Sequence, residues 1–194
     1  TLNSLGSATF NWVTAGTPRI NALARDKAGG SLYVGGSFGS ISSAYTTLDW
    51  DGTERVWGVN AKGLAKFDMD SSEWSMLGYS HDQITFENYD QEVRALALDE
   101  TSGSLFVGGD FHQAGEVADT SGLAKWNIKS STWSSIGVLK RLVSGELVAG
   151  TVSAFALETS SGASQLYVGG DFHLVDGVSD TSGVARFDIN SSTW

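Results

Sequence analysis

The chain has 194 residues, with 12 Lys and Arg against 22 Asp and Glu, and so carries a formal net charge of −10. That balance excludes a nucleic-acid partner, which needs a basic stripe, and the lone cluster Lys140-Arg141 is too small to be one. There is no Cys, which removes disulfides, thiolate zinc sites and cysteine nucleophiles together, and the apolar runs fall far short of the roughly 20 residues that cross a bilayer.

In chain order, residues 1–19 open with TLNSLGSATF and read as a strand completing a neighbouring unit. The chain starts at Thr1 without an initiator Met or a signal peptide, which reads as a processed product or a piece of something longer. INALARD at 20–26 alternates apolar and polar residues as a half-buried strand does. YVGGSF at 33–38 closes a second short strand on paired glycines, where positive φ or close approach of a neighbour is expected. Residues 39–62 follow as an insertion, and GLAKFDMDSSEW at 63–74 gives a third strand, a polar turn and a Trp that starts a fourth. The same blocks return as VRALALD (93–99), FVGGDF (106–111) and GLAKWNIKSSTW (122–133). They return again as VSAFALE (152–158), YVGGDF (167–172) and GVARFDINSSTW (183–194).

Three blocks recurring in one order three times define an internal repeat. Its landmarks are Gly35-Gly36, Gly108-Gly109 and Gly169-Gly170; then Phe38, Phe111 and Phe172; then Trp74, Trp133 and Trp194. The glycines are expected to let units pack closely, with each Phe filling the same slot between neighbours. Four short antiparallel strands per unit is the pattern of a β-propeller blade, so the fold class is all-β. The blades are residues 20–78 with the inserted hairpin at 39–62, residues 79–137, and residues 138–194 lacking the last strand. A propeller typically has four to eight blades. Three are too few for an ordinary closed ring, and continuation beyond them is expected, in a longer tandem array, a ring shared between copies, or an open end-to-end assembly.

An apolar run ending in Gly-Gly, followed by an aromatic-Asp pair six residues before a Trp, resembles the kelch motif; here these are Phe67-Asp68 with Trp74, Trp126-Asn127 with Trp133, and Phe187-Asp188 with Trp194. The GGDF opening followed by G-(L/V)-A-(K/R) resembles more closely still the kelch-like repeats of the fungal cortical polarity-marker family and related surface proteins. The resemblance covers nearly the whole chain and implies a kelch-like propeller, without fixing an activity. Two positions depart from the pattern: Ser37 where the other repeats have Asp110 and Asp171, and Asn127 where Asp is usual.

Candidate chemistry is sparse. Asp110 and His112, repeated as Asp171 and His173, lie two apart, so each pair shares a strand face and could hold a metal or a sugar hydroxyl. Two ligands per blade make a poor metal site, and the first repeat has Ser37 and Gly39 there, so no metal and no cofactor is expected. The copper site of galactose-oxidase-type propellers needs a Tyr–Cys cross-link, which a chain without Cys lacks. Against the sialidase turn S-x-D-x-G-x-T-W, the SSTW segments share only Thr-Trp. No carboxylate pair stands out for glycoside hydrolysis, and no phosphate loop, nucleophile elbow or H-E-x-x-H motif occurs.

The insertion is the clearest break from the template: 27 positions separate Gly36 from Gly63, against 13 from Gly109 to Gly122 and from Gly170 to Gly183. Within it, Asp51-Gly52 between alternating runs is a two-residue hairpin signal, and the hairpin carries Trp50 and Trp57. These tryptophans either cover the blade's own edge or form a contact arm for a neighbouring subunit or a glycan. Asn190-Ser191-Ser192 is a glycosylation sequon, which points to a secreted or surface protein.

The sequence therefore reads as a non-catalytic extracellular structural repeat protein that self-associates end to end. The alternative is a cell-surface propeller that binds glycans or proteins, with a glycoside-acting enzyme third. Replacing Trp50 and Trp57 by Ser should abolish assembly, measured by size-exclusion chromatography, while leaving the circular dichroism spectrum unchanged. Intact assembly with lost stability would assign the two side chains to the blade's own edge.

Overall fold

The computed structural model describes residues 9–11, 18–48, 54–78, 83–85, 92–160, 163–178 and 181–194, with the side chains of 9–11, 42–48 and 54–58 left aside. In chain order the strands of the first repeat are β1 (Thr9–Asn11), β2 (Arg19–Asp26), β3 (Ser31–Ser37), β4 (Ser40–Leu48), β5 (Glu54–Asn60), β6 (Leu64–Asp68) and β7 (Glu73–Met76). Those of the second are β8 (Ile84–Thr85), β9 (Glu92–Asp99), β10 (Ser104–Asp110), β11 (Gln113–Ala114), β12 (Leu123–Asn127) and β13 (Thr132–Ser134). The third contributes β14 (Leu139–Val143), β15 (Glu146–Ala149), β16 (Thr151–Ser160), β17 (Ala163–Asp171), β18 (Leu174–Val175) and β19 (Val184–Asp188). No helix occurs among the described residues.

The larger sheets share one plan: β2-β3-β6-β7, β9-β10-β12-β13 and β16-β17-β19, every pairing antiparallel. In the third, a single bridge from Asp188 to Thr193 stands where β7 and β13 pair in the others. The first strands lie side by side, β2 against β9 and β9 against β16, so the sheets pack face to face around their inner edges as blades do. Alternation dictates which residues meet. Along β10, Leu105 and Val107 face the first sheet and join Tyr33 and Ala24 in one core, while Phe106 joins Val152, Leu166 and Val168 in the next. Phe38, Phe111 and Phe172 are all buried, each in a different core cluster. The pairs Phe67–Trp74, Trp126–Trp133 and Phe187–Trp194 stack at 4.9, 5.0 and 5.0 Å between ring centroids.

The two glycines of each pair do separate work. A Cβ on Gly35 would stand 2.6 Å from Val93 Cγ1, and one on Gly108 would stand 2.5 Å from Val152 Cγ1, so the first glycine admits the next sheet. A Cβ on Gly36, Gly109 or Gly170 would instead stand 2.0–2.2 Å from the carbonyl oxygen of Arg19, Glu92 or Thr151, where a β-bulge shifts the register between the first two strands of each sheet. Each second glycine also donates its N–H to Gly63, Gly122 or Gly183 of the third strand's entrance, and these return an N–H to Phe38, Phe111 or Phe172.

Smaller sheets, absent from the sequence reading, sit where the second strands end. β1 pairs with β4 (Phe10↔Ile41), β8 with β11 (Ile84↔Ala114) and β14 with β18 (Leu139↔Val175). Thr9–Asn11, part of the 1–19 segment expected to complete a neighbouring blade, is thus paired within its own repeat, while residues 1–8 and 12–17 lie outside the described ones. The inserted segment forms β4 and β5, paired through Leu48↔Glu54, whereas a two-residue turn at Asp51-Gly52 would set Leu48 against Arg55. Trp50, Asp51 and the side chain of Trp57 fall outside the described residues. A second hairpin was missed in the sequence. β14 and β15 meet at Ser144-Gly145, both with positive φ (50° and 89°), as a type I′ turn requires.

Gly109→Ala should cost about 2–4 kcal/mol in urea unfolding, because a backbone carbonyl cannot step aside. Gly169→Ala, whose Cβ would meet nothing nearer than 3.9 Å, should stay within about 0.5 kcal/mol of the parent.

Candidate functional site

The face where first strands begin and second strands end collects the charged side chains that the sequence singled out. Glu92, at the start of β9, is the hub of one group: Arg94 Nε donates to its Oε1 at 3.1 Å, Asn21 Nδ2 donates to its Oε2 at 2.8 Å, and Arg19 lies 3.6 Å away. Arg94 also reaches Asp110 at 3.9 Å. Asn21 reaches the Val93 carbonyl as well, at 3.0 Å, so this group ties the first sheet to the second. In the third repeat, Arg141 donates to Asp171 at 2.9 Å, and the Leu142 N–H donates to His173 Nδ1 at 3.3 Å.

The expected Asp–His pairs are therefore each drawn toward other groups. Asp110 and Asp171 face arginines; His173 anchors the β14–β15 hairpin, with its own N–H on the Lys140 carbonyl at 2.8 Å, and the His112 N–H donates to Thr85. No cluster of three or more His, Asp or Glu able to hold a metal occurs among the described residues. Two features escaped the sequence reading. One is the β14–β15 hairpin, which exposes Leu142, Val143, Leu147 and Val148, and whose signal was Ser144-Gly145 between two apolar runs. The other is a cleft of about 470 Å³ between the outer strands of the second and third sheets, lined by Asp119, Lys125, Asp176 and Trp194 among others. Trp194, alone of the residues singled out from sequence, lines it, and its indole N–H donates to the Ile136 carbonyl.

On the opposite face, the D-x-x-S-S-x-W turns repeat as side-chain caps. Asp68 Oδ1 accepts from the N–H groups of Asp70 and Ser71, Asn127 Oδ1 from Lys129 and Ser130, and Asp188 Oδ1 from Ser191. An amide oxygen serves as well as a carboxylate here, which explains Asn127. Asn190 is exposed on the third of these turns.

Residues 64–194 match the model of the Rax2 C-terminal beta propeller domain. The chain belongs to that family. Rax2 is a fungal cortical polarity marker, so the kelch-like likeness read from the repeats is borne out, as is the all-β propeller fold. No curated protein matches the chain. Among solved structures it is similar to the GH74 enzyme of Niastella koreensis, at 17% identity and a TM-score of 0.46, over 90% of this chain and 29% of that one.

The Rax2-like turns carry a pH dependence. Hydrogen bonds hold the Asp68 and Asp188 carboxyls below the usual carboxylate range, the Ser71 N–H first for Asp68 and the Ser191 N–H first for Asp188. A folded-state pKa below the unfolded one stabilises at any pH above about 4 and is lost as the pH falls through the folded value. Thermal unfolding followed from pH 6 to 2 should show this loss, and the double variant Asp68→Asn, Asp188→Asn should flatten it.

Proposed function

We propose that the chain is a non-catalytic extracellular structural repeat protein that assembles end to end into a surface layer, fibre or filament. The observation that carries this reading is an asymmetry of burial. Apolar positions buried between sheets recur exposed at both ends of the stack, as Leu23 on the first sheet and Tyr167 and Val184 on the third. Open sheet faces of this kind invite another repeat. The charged side chains with chemical potential are engaged instead in pairs that join strands and sheets. Extracellular placement has support from the exposed sequon at Asn190.

A second reading, glycan or protein binding, has support from the cleft that sets Trp194 beside Asp119, Asp176 and Lys125. Size-exclusion chromatography with negative-stain imaging separates the two. Rods or rings are the expected outcome. A soluble monomer with hits on a glycan array would instead favour the binding module and overturn assembly.

A further inference from the structure

The two ends of the stack are complementary to each other. By register, Ile20 occupies the position of Val93 and Val152, Leu23 that of Leu96 and Phe155, and Arg25 that of Leu98 and Leu157. Inside the molecule these positions act as plugs. Val93 and Leu96 close over Gly35, while Val152 and Phe155 close over Gly108. Leu96 and Leu98 pack on the core around Tyr33, and Phe155 and Leu157 on the core around Phe106. Ile20 and Leu23 carry the same chemistry but stand 42% and 60% exposed.

The third sheet carries the matching socket, unfilled. Over Gly169 a Cβ would find nothing within 3.9 Å, although this glycine aligns with the two that are tightly covered. Around it, Tyr167 is 36% and Val184 64% exposed, whereas their counterparts Tyr33, Phe106, Leu64 and Leu123 are all buried. Ala154 and Ala156 are exposed where Ala95 and Ala97 are buried.

Charge marks these two faces as well. The plug strand departs from the apolar template at Arg25, an exposed cation where the inner copies have leucine. On the socket side, Glu158 is exposed and accepts a hydrogen bond from the Tyr167 hydroxyl at 3.2 Å. At the corresponding place between the first two sheets, Asp26 lies near the buried Tyr33, whose phenol is pushed up to about 12 by burial and, next, by the Asp26 charge. An incoming Leu98 leaves that acid to its own turn, whereas an incoming Arg25 would meet Glu158 directly.

We propose that the socket is filled by a second copy of this chain: Ile20 and Leu23 of one copy seat over Gly169 beside Tyr167 and Val184 of the next, with Arg25 against Glu158. The contact is head to tail, so its two halves lie at opposite ends of the stack and each copy offers both. It rests on the end-to-end reading above and names the residues that would make it.

Sedimentation equilibrium of the chain and of Gly169→Val and Leu23→Ser variants tests it, with thermal unfolding as the control for folding. Val at 169 fills the socket without entering any packed region of the single copy. Each variant should keep its fold and raise the dissociation constant by about 30-fold or more, the scale of an interface hot spot. Arg25→Glu should weaken assembly by roughly tenfold, and adding Glu158→Arg in the same chain should restore it. A parent chain that stays monomeric at 100 times these concentrations would overturn the end-to-end reading and this contact with it. Assembly that persists unchanged in both Gly169→Val and Leu23→Ser, or a charge reversal without rescue, would leave that reading standing and overturn this contact.

Discussion

Everything in this molecule depends on how closely one sheet can approach the next. At Gly35 and Gly108 there is no side chain, and the branched tips of Val93 and Val152 occupy the space a Cβ would need. That approach lets Tyr33 and Phe106 sink into the cores between sheets and brings the first strands against one another. Packing at van der Waals distance is where apolar burial and dispersion accumulate, so a repeat without long helices or disulfides can still hold a continuous core. The adjacent glycine answers a different constraint, the bulge that brings a carbonyl within about 2 Å of its missing Cβ.

Polar groups follow the same division of labour. On one face, the capping oxygens of Asp68, Asn127 and Asp188 satisfy turn N–H groups that no strand could reach. On the other, Glu92 gathers Asn21 and Arg94, and Arg141 reaches Asp171, so the charges serve to join strands and sheets. Neither arrangement requires a bound ligand to be complete. The insertions are confined to this second face, where small sheets such as β8-β11 leave room for β5 and β15 to be added without disturbing a blade.

The repeat, its strands and its membership of the Rax2 propeller family were legible because they rest on local rules. Period-two alternation in VRALALD, the Gly-Gly pairs and the D-x-x-S-S-x-W turns each state their structure within a few residues. The hairpin at Ser144-Gly145 was legible by the same rule but was overlooked, since LKRLV and ELVA have no counterpart in the other repeats. The small sheets were not legible: a two-residue pairing such as Ile84–Thr85 with Gln113–Ala114 spans 28 positions and leaves no periodic trace.

What the sequence by itself determined was the unit: which residues form strands, which turn, and which glycines must stay bare. What only the tertiary structure decided was the use of each unit's faces. Gly35, Gly108 and Gly169 are identical in sequence context, yet two are covered and one is open, because coverage comes from a neighbouring sheet. The Asp–His pairs looked like a site on paper, but Arg94 and Arg141 lie beside their carboxylates in space. Local chemistry fixes what a residue can do, and contacts between distant segments select which of those possibilities is realised.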